Sequence, residues 1–155
     1  MANIRTALVI GGGIAGPVAA TALRKVGIEA TVYEAAYPPA AGELGGSLGP
    51  ASNGVAALEI IGAADAVRAL ATPTPNMLMT IRGKKAVQGA AFPRRPGAPQ
   101  NLSPVGALHI MPPVPHFHRG RMVLAGAAVH APSNSTGQGA SLAIESAIEL
   151  ARNPA

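Results

Sequence analysis

One run limits what this chain can fold into more than any other: Leu8-Val9-Ile10-Gly11-Gly12-Gly13-Ile14-Ala15-Gly16, an aliphatic stretch that stops on glycines. Thr6 to Ile10 suits a buried parallel strand, which is covered on both faces and so is apolar without alternation. Ile14 to Val26 then places Ala15, Val18, Ala19, Ala22, Leu23 and Val26 at helical spacing. Pro17 falls in the first turn, where a missing N–H is tolerated. Gly27 supplies a stop, and Ala30 to Glu34 reads as the next strand. The pattern predicts a βαβ unit in an α/β fold.

Each glycine of the run has its own reason. Gly11 permits the tight strand-to-helix turn, Gly13 lets backbone approach a pyrophosphate, and Gly16 lets helix and strand pack closely. The helix start formed by Ile14 and Ala15 offers unpaired N–H groups and a partial positive charge to phosphates. Glu34 follows Gly11 where a carboxylate can accept hydrogen bonds from an adenosine ribose, with Ala35 beside it. This is the pattern of a dinucleotide site, and alone it does not separate FAD from NAD.

Further along, residues 35–52 form a Gly/Pro/Ala loop too long to be idle in a compact domain. Helices are expected over Gly54 to Ile61 and Ala64 to Leu70. Strands are expected at Met77 to Ile81 and Lys85 to Gln88 about a Gly83 turn. Residues 89–104 carry Pro93, Pro96, Pro99 and Pro104 with little periodicity and read as a linker. Ala107 to Met111 reads as a short strand, Met122 to Ala125 as a buried one, and Gly139 to Ala151 as a final helix. Met77, Met79, Met111 and Met122 are expected to fill gaps in an aromatic-poor core.

The chain has 155 residues, one domain's worth. It has no cysteine, which excludes disulfides, thiolate catalysis and thiolate metal sites. The formal charge of +5 reflects a shortage of acids, with Asp65 the only aspartate. The densest basic stretch, Arg82, Lys84, Lys85, Arg94 and Arg95, reads as a solvated loop, so no specific nucleic-acid partner is expected. No segment reads as a signal peptide or a membrane span, which makes a cytoplasmic protein the default. His116 and His118 bracket Phe117 and read as a surface pair, with no metal expected. Ser133, Ser135 and Ser141 have no evident base partner, so no hydrolase triad is expected.

The second informative stretch is Gly120-Arg121-Met122-Val123-Leu124-Ala125-Gly126, running through His130-Ala131-Pro132 to Gly137-Gln138-Gly139-Ala140-Ser141. Residues 119–150 resemble the terminal flavin-binding segment of the FAD-dependent aromatic-ring monooxygenases, the hydroxylase family typified by para-hydroxybenzoate hydroxylase. That family has a strand, a Gly-Asp pair, a His-x-x-Pro run and Gly-Gln-Gly opening a helix. The first 60 residues are also similar, including GGSLGPASNG at 45–54, where relatives often have Pro-Asn-Gly. The resemblance implies FAD as cofactor, with NAD(P)H and molecular oxygen as co-substrates. It assigns Gly126, Ala127 and His130 to the ribityl and pyrophosphate region, and Pro132 and Gly137 to Ser141 to the isoalloxazine ring. Gly46 and Ser47 would line the covering loop. His130 reads equally well as a packed loop histidine.

The chain departs from the family in three ways. Ala127 stands where relatives carry the aspartate that binds ribityl hydroxyls. Only residues 86–118 are available for the substrate domain, and no Asp-Gly pair is found anywhere. Tryptophan is absent, with Phe117 where relatives often show it. The expectation is therefore a reduced Rossmann-like, three-layer FAD-binding domain with a small parallel sheet and a short β-hairpin. Its parallel strands would lie near 6–10, 30–34 and 121–125. It would be a single domain over 1–155, with family-like segments 1–85 and 105–155 joined at 89–104. An engineered minimal flavin domain would look like this, as would a natural fragment or a degenerate homologue. Three functions follow: a flavoprotein with redox or photochemistry but little hydroxylation, a compact NAD(P)H-dependent monooxygenase or reductase, and a non-enzymatic NAD-binding module.

Overall fold

The structure, a computed structural model, describes residues 4–35, 49–71, 78–81, 84–88, 111, 113–132 and 137–153. Strand β1 (Thr6–Ile10) and strand β2 (Glu29–Tyr33) pair in parallel, Thr6 opposite Glu29 and Ile10 opposite Tyr33. Helix α1 (Ala15–Lys25) joins them. Its end follows from Gly27. With φ 84°, Gly27 turns the chain into the left-handed region. Its N–H then donates to the Arg24 carbonyl at 3.1 Å, and that of Ile28 to the Leu23 carbonyl at 3.0 Å. Leu23 and Ile28 are both buried, adding the apolar contact that accompanies such a stop. Val26, expected on the buried face, lies just past the helix and is exposed.

Helix α2 (Ser52–Ile61) ends in the same way at Gly62. Helix α3 (Ala64–Leu70) turns back and is tied to it by exposed Arg68, which reaches Glu59 at 2.5 Å and Asp65 at 2.9 Å. Exposed pairs of this kind add little stability. The last helix, α4 (Gly139–Arg152), packs on both α1 and α2. Leu23 and Ile28 meet Leu58, Ile61, Ile144 and Ile148 in one cluster among alanines, with Ala7 and Ala30 of the sheet packed against it. The opposite face of the sheet carries Leu8 and Ile10, 71% and 80% exposed.

Strands β3 (Leu78–Ile81) and β4 (Lys84–Gln88) form the expected antiparallel pair. The expected linker at 89–104, the turn at Gly83, and all of the strand at 107–111 except Met111 lie outside the described residues. So do Met77, Ser133, Ser135, and most of the loop at 35–52, including Gly46 and Ser47.

One expectation is overturned. The run at 121–125 is not a buried strand of the parallel sheet, which among the described residues has only β1 and β2. Instead β6 (Met122–Val123) folds back antiparallel on β5 (His118–Arg119) across a Gly120–Arg121 turn. Leu124 N–H closes the ladder on the Phe117 carbonyl at 2.8 Å. Met122 is 69% exposed, so it fills no core gap. A turn two residues long gives this apolar run a local partner.

Candidate functional site

The first glycine run is held by backbone. Gly11 N–H continues the strand ladder to the Tyr33 carbonyl at 2.7 Å, and Gly12 N–H donates to Glu34 Oε2 at 2.5 Å. The acid expected to meet a ribose therefore sits against the glycine turn, fixed relative to it. Gly16 lies so close to the turn that a Cβ there would overlap the Gly11 carbonyl oxygen. A Cβ on Gly13 would meet nothing within 4 Å, so this side of the turn is open. Ala35 follows Glu34, exposed.

The second run arrives at the same place. Gly126 is buried with φ 59°, and a Cβ on it would fall 2.6 Å from the Ala15 Cβ in the first turn of α1. Only glycine fits both the backbone angle and the space. Gly126 opens a 3-10 turn over Gly126–Ala128, on which Ala127 is exposed. Ser146 of α4 holds this turn: its Oγ accepts from Gly126 N–H at 3.1 Å and donates to the Ala143 carbonyl at 3.2 Å. His130 lies 3.4 Å from the same hydroxyl through Nε2. The direction of that contact follows the imidazole tautomer. Among the described residues, the buried His130 Nδ1 has no hydrogen-bond partner.

A third contact joins the starts of α2 and α4. Ser141 is fully buried, and its Oγ accepts from Ala51 N–H, the N-cap of α2, at 2.9 Å. A Cβ on Gly54 would come within 2.6 Å of that oxygen. Beside it, Asn53 Nδ2 donates to Glu145 Oε1 at 3.1 Å and to Gln138 Oε1 at 3.5 Å. Pro132 packs near Gly139, while Gly137 turns the chain with an exposed, positive-φ backbone.

Three helix starts thus converge. The N-caps of α1, α2 and α4 make no side-chain capping bond, and none of the three helices has an acid in its first turn. Their free N–H groups leave a positive end-field suited to an anionic or electron-rich ligand, offset at α2 by the Glu145 carboxylate beside Asn53 and ahead of α1 by Glu34 at Gly12. Of the residues expected to form the site, Gly11, Gly13, Ile14, Ala15, Gly16, Glu34, Gly126, Ala127, His130, Pro132, Gly137, Gln138, Gly139, Ala140 and Ser141 fall in or beside these segments. Gly46 and Ser47 lie outside the described residues.

Reasoning from residue types missed Asn53, Glu145 and Ser146, and read Ser141 as a cofactor contact without a base partner rather than as a buried acceptor. The signal for Ser141 was present: it shares the buried stripe of α4 with Ile144, Ile148 and Ala151, where a hydroxyl needs a partner. His116 and His118 are both exposed in the hairpin region. Among the described residues no cluster of three or more His, Asp or Glu could hold a metal. No described helix is long and apolar enough to cross a membrane.

Residues 9–42 match the family model of the NAD(P)-binding Rossmann-like domain. Neither a curated protein nor a solved structure matches the chain. The matched stretch begins in β1 and carries the first glycine run, α1, β2 and Glu34, a nucleotide-binding unit that supports dinucleotide binding.

Proposed function

We propose that this chain is a minimal FAD-binding flavoprotein of monooxygenase ancestry, a single domain whose family-like segments, 1–85 and 105–155, are joined through 89–104. The carrying observation is Gly126 packed on Ala15, which brings the second glycine run to the start of α1. The second run beside the first suits the part of a dinucleotide beyond its pyrophosphate, and the resemblance of residues 119–150 is what makes that part a flavin in this reading. The fit is supported by the open Gly13, the uncapped α1 and α4, and the orphaned His130 Nδ1.

In this reading Gly11 to Gly16 hold the pyrophosphate and Glu34 the adenosine ribose. Gly126 to His130 run along the ribityl chain, where Ala127 offers no carboxylate. The α4 start, Gly137 to Ala140, lies against the ring, with Ser141 buried behind it, and its positive end stabilises negative charge there. Bound FAD supplies two-electron chemistry with oxygen or a nicotinamide donor. The protein would orient the cofactor, and the 86–118 stretch between the two family-like segments is short for the substrate domain that the resemblance implies. The chemistry FAD would supply here is redox or photochemistry with little hydroxylation of a substrate.

The test is an absorption spectrum of the purified protein with mass identification of any cofactor released on denaturation. Stoichiometric FAD supports the reading; colourless protein that takes up no added FAD removes it. The match of 9–42 to an NAD(P)-binding model favours a second reading, a non-enzymatic NAD-binding module. Melting flavin-free protein with either dinucleotide separates the two, because the true ligand raises the midpoint by mass action.

A further inference from the structure

The hairpin of β5 and β6 presents cations and an aromatic ring on one face. Directly opposed residues of an antiparallel ladder share a face, and so do residues two apart along a strand. Arg119 lies opposite Met122, and the bond from Leu124 N–H to the Phe117 carbonyl extends the ladder to that pair. One face therefore carries Phe117, Arg119, Met122 and Leu124. All four are exposed, Phe117 by 56% and Met122 by 69%. Arg121 adds a second exposed guanidinium in the turn. Neither arginine makes an ion pair among the described residues, whereas Arg68 and Arg152 do. No acid occurs in the sequence between Asp65 and Glu145, so the hairpin's own stretch of chain supplies no counter-charge.

We propose that this hairpin binds single-stranded nucleic acid, with Phe117 stacking on a base and Arg119 and Arg121 meeting backbone phosphates. An exposed ring beside unpaired cations suits a strand of any sequence, because every base offers a π-face and every nucleotide a phosphate. Residues two apart on a strand lie about 6–7 Å apart, so Phe117 and Arg119 can meet a base and a phosphate of one strand together. A duplex keeps its base faces stacked inside and offers Phe117 no surface. An anionic bilayer fits less well. Its headgroups would meet the arginines of the turn first and hold Phe117, Met122 and Leu124, set back along the ladder, away from the acyl boundary. Binding of this kind is independent of FAD and, being tolerant of sequence, needs no specific nucleic-acid partner.

The test follows fluorescence anisotropy of a labelled oligothymidylate, about 15 nucleotides long, as the full chain is added at several salt concentrations. Three variants are compared: Phe117→Leu, Arg119→Gln with Arg121→Gln, and Lys84→Gln with Lys85→Gln. Phe117→Leu keeps an apolar side chain but removes the stacking face, and should weaken binding roughly tenfold with the salt slope unchanged. The arginine pair should lower affinity and flatten the slope of log affinity against log salt by about 1.4, two phosphate contacts' worth. The lysine pair removes the same charge elsewhere and should lose far less. All three should melt like the wild type, since the hairpin side chains are exposed and pack on nothing. Wild-type affinity in Phe117→Leu, or equal losses in the two charge pairs, would reduce the binding to adhesion by net charge and overturn the proposal. No binding of the strand by wild type at low salt would overturn it outright. So would a Phe117-dependent attachment to phosphatidylserine vesicles that the strand does not share, which would give the hairpin to a membrane surface.

Discussion

The two glycine runs end beside each other, yet they are kept in place by different regions of the molecule. Gly11 to Gly16 is held within its own βαβ unit, by the Tyr33 carbonyl, by Glu34, and by a backbone approach too close for any side chain at Gly16. Gly126 and Gly137 to Ser141 are held by the helix that follows them, through the hydroxyls of Ser146 and Ser141. The first run is a local device that forms when β1, α1 and β2 form. The second exists only once α4 has docked on α1 and α2, so its geometry is tertiary.

That contrast can be broken most sharply at Gly16. Gly16→Ala drives a methyl into the Gly11 carbonyl, a backbone atom with nowhere to go, and should cost on the order of 3 kcal/mol or more. A wild-type melt would mean the first run is not so tightly wound. Gly126→Ala adds left-handed strain to a collision with Ala15 and should cost about 2–3 kcal/mol. Its amide exchange should quicken in α4 while β1 and β2 stay protected; uniform loss of protection would say that the two runs form as one unit. Ser141→Ala leaves the Ala51 amide without its acceptor, for about 1–3 kcal/mol in a thermal melt. The smallest effect belongs to Ala127→Asp. That change restores an acceptor on the exposed turn and should tighten FAD by about 1 kcal/mol in a binding titration, with little change in the flavin-free melt. No gain would count against the proposed path of a ribityl chain past this turn.

How much of this was legible in the sequence follows the same division. The helices and the antiparallel pair fell within a residue or two of their expected bounds, because apolar spacing and the glycines at 27 and 62 are signals carried by the elements themselves. The first glycine run was legible for the same reason. The stretch at 121–125 was not: a run such as Met-Val-Leu-Ala states that it prefers strand but not which strand it will pair with, and the nearby Gly120 decided that. Asn53, Ser146 and Glu145 escaped because each acts on a residue dozens of positions away or on a turn of another segment. The clasp of Asn53 on Glu145 spans 92 positions, and no spacing rule reaches so far.

The interior has a consequence for how the molecule tolerates change. Of the buried apolar residues described, Ala19, Ala20, Ala22, Ala57, Ala64, Ala143, Ala147 and Ala151 are alanine, against two leucines and four isoleucines. Truncation scanning would pass over most of this interior without altering it. The sensitive direction is enlargement, since each added methylene must push apart helix backbones already near contact. Evolution or design acting on this chain therefore meets a lopsided landscape: among the described residues only the leucines and isoleucines of the interior can be pared away, while growth at the alanines is opposed.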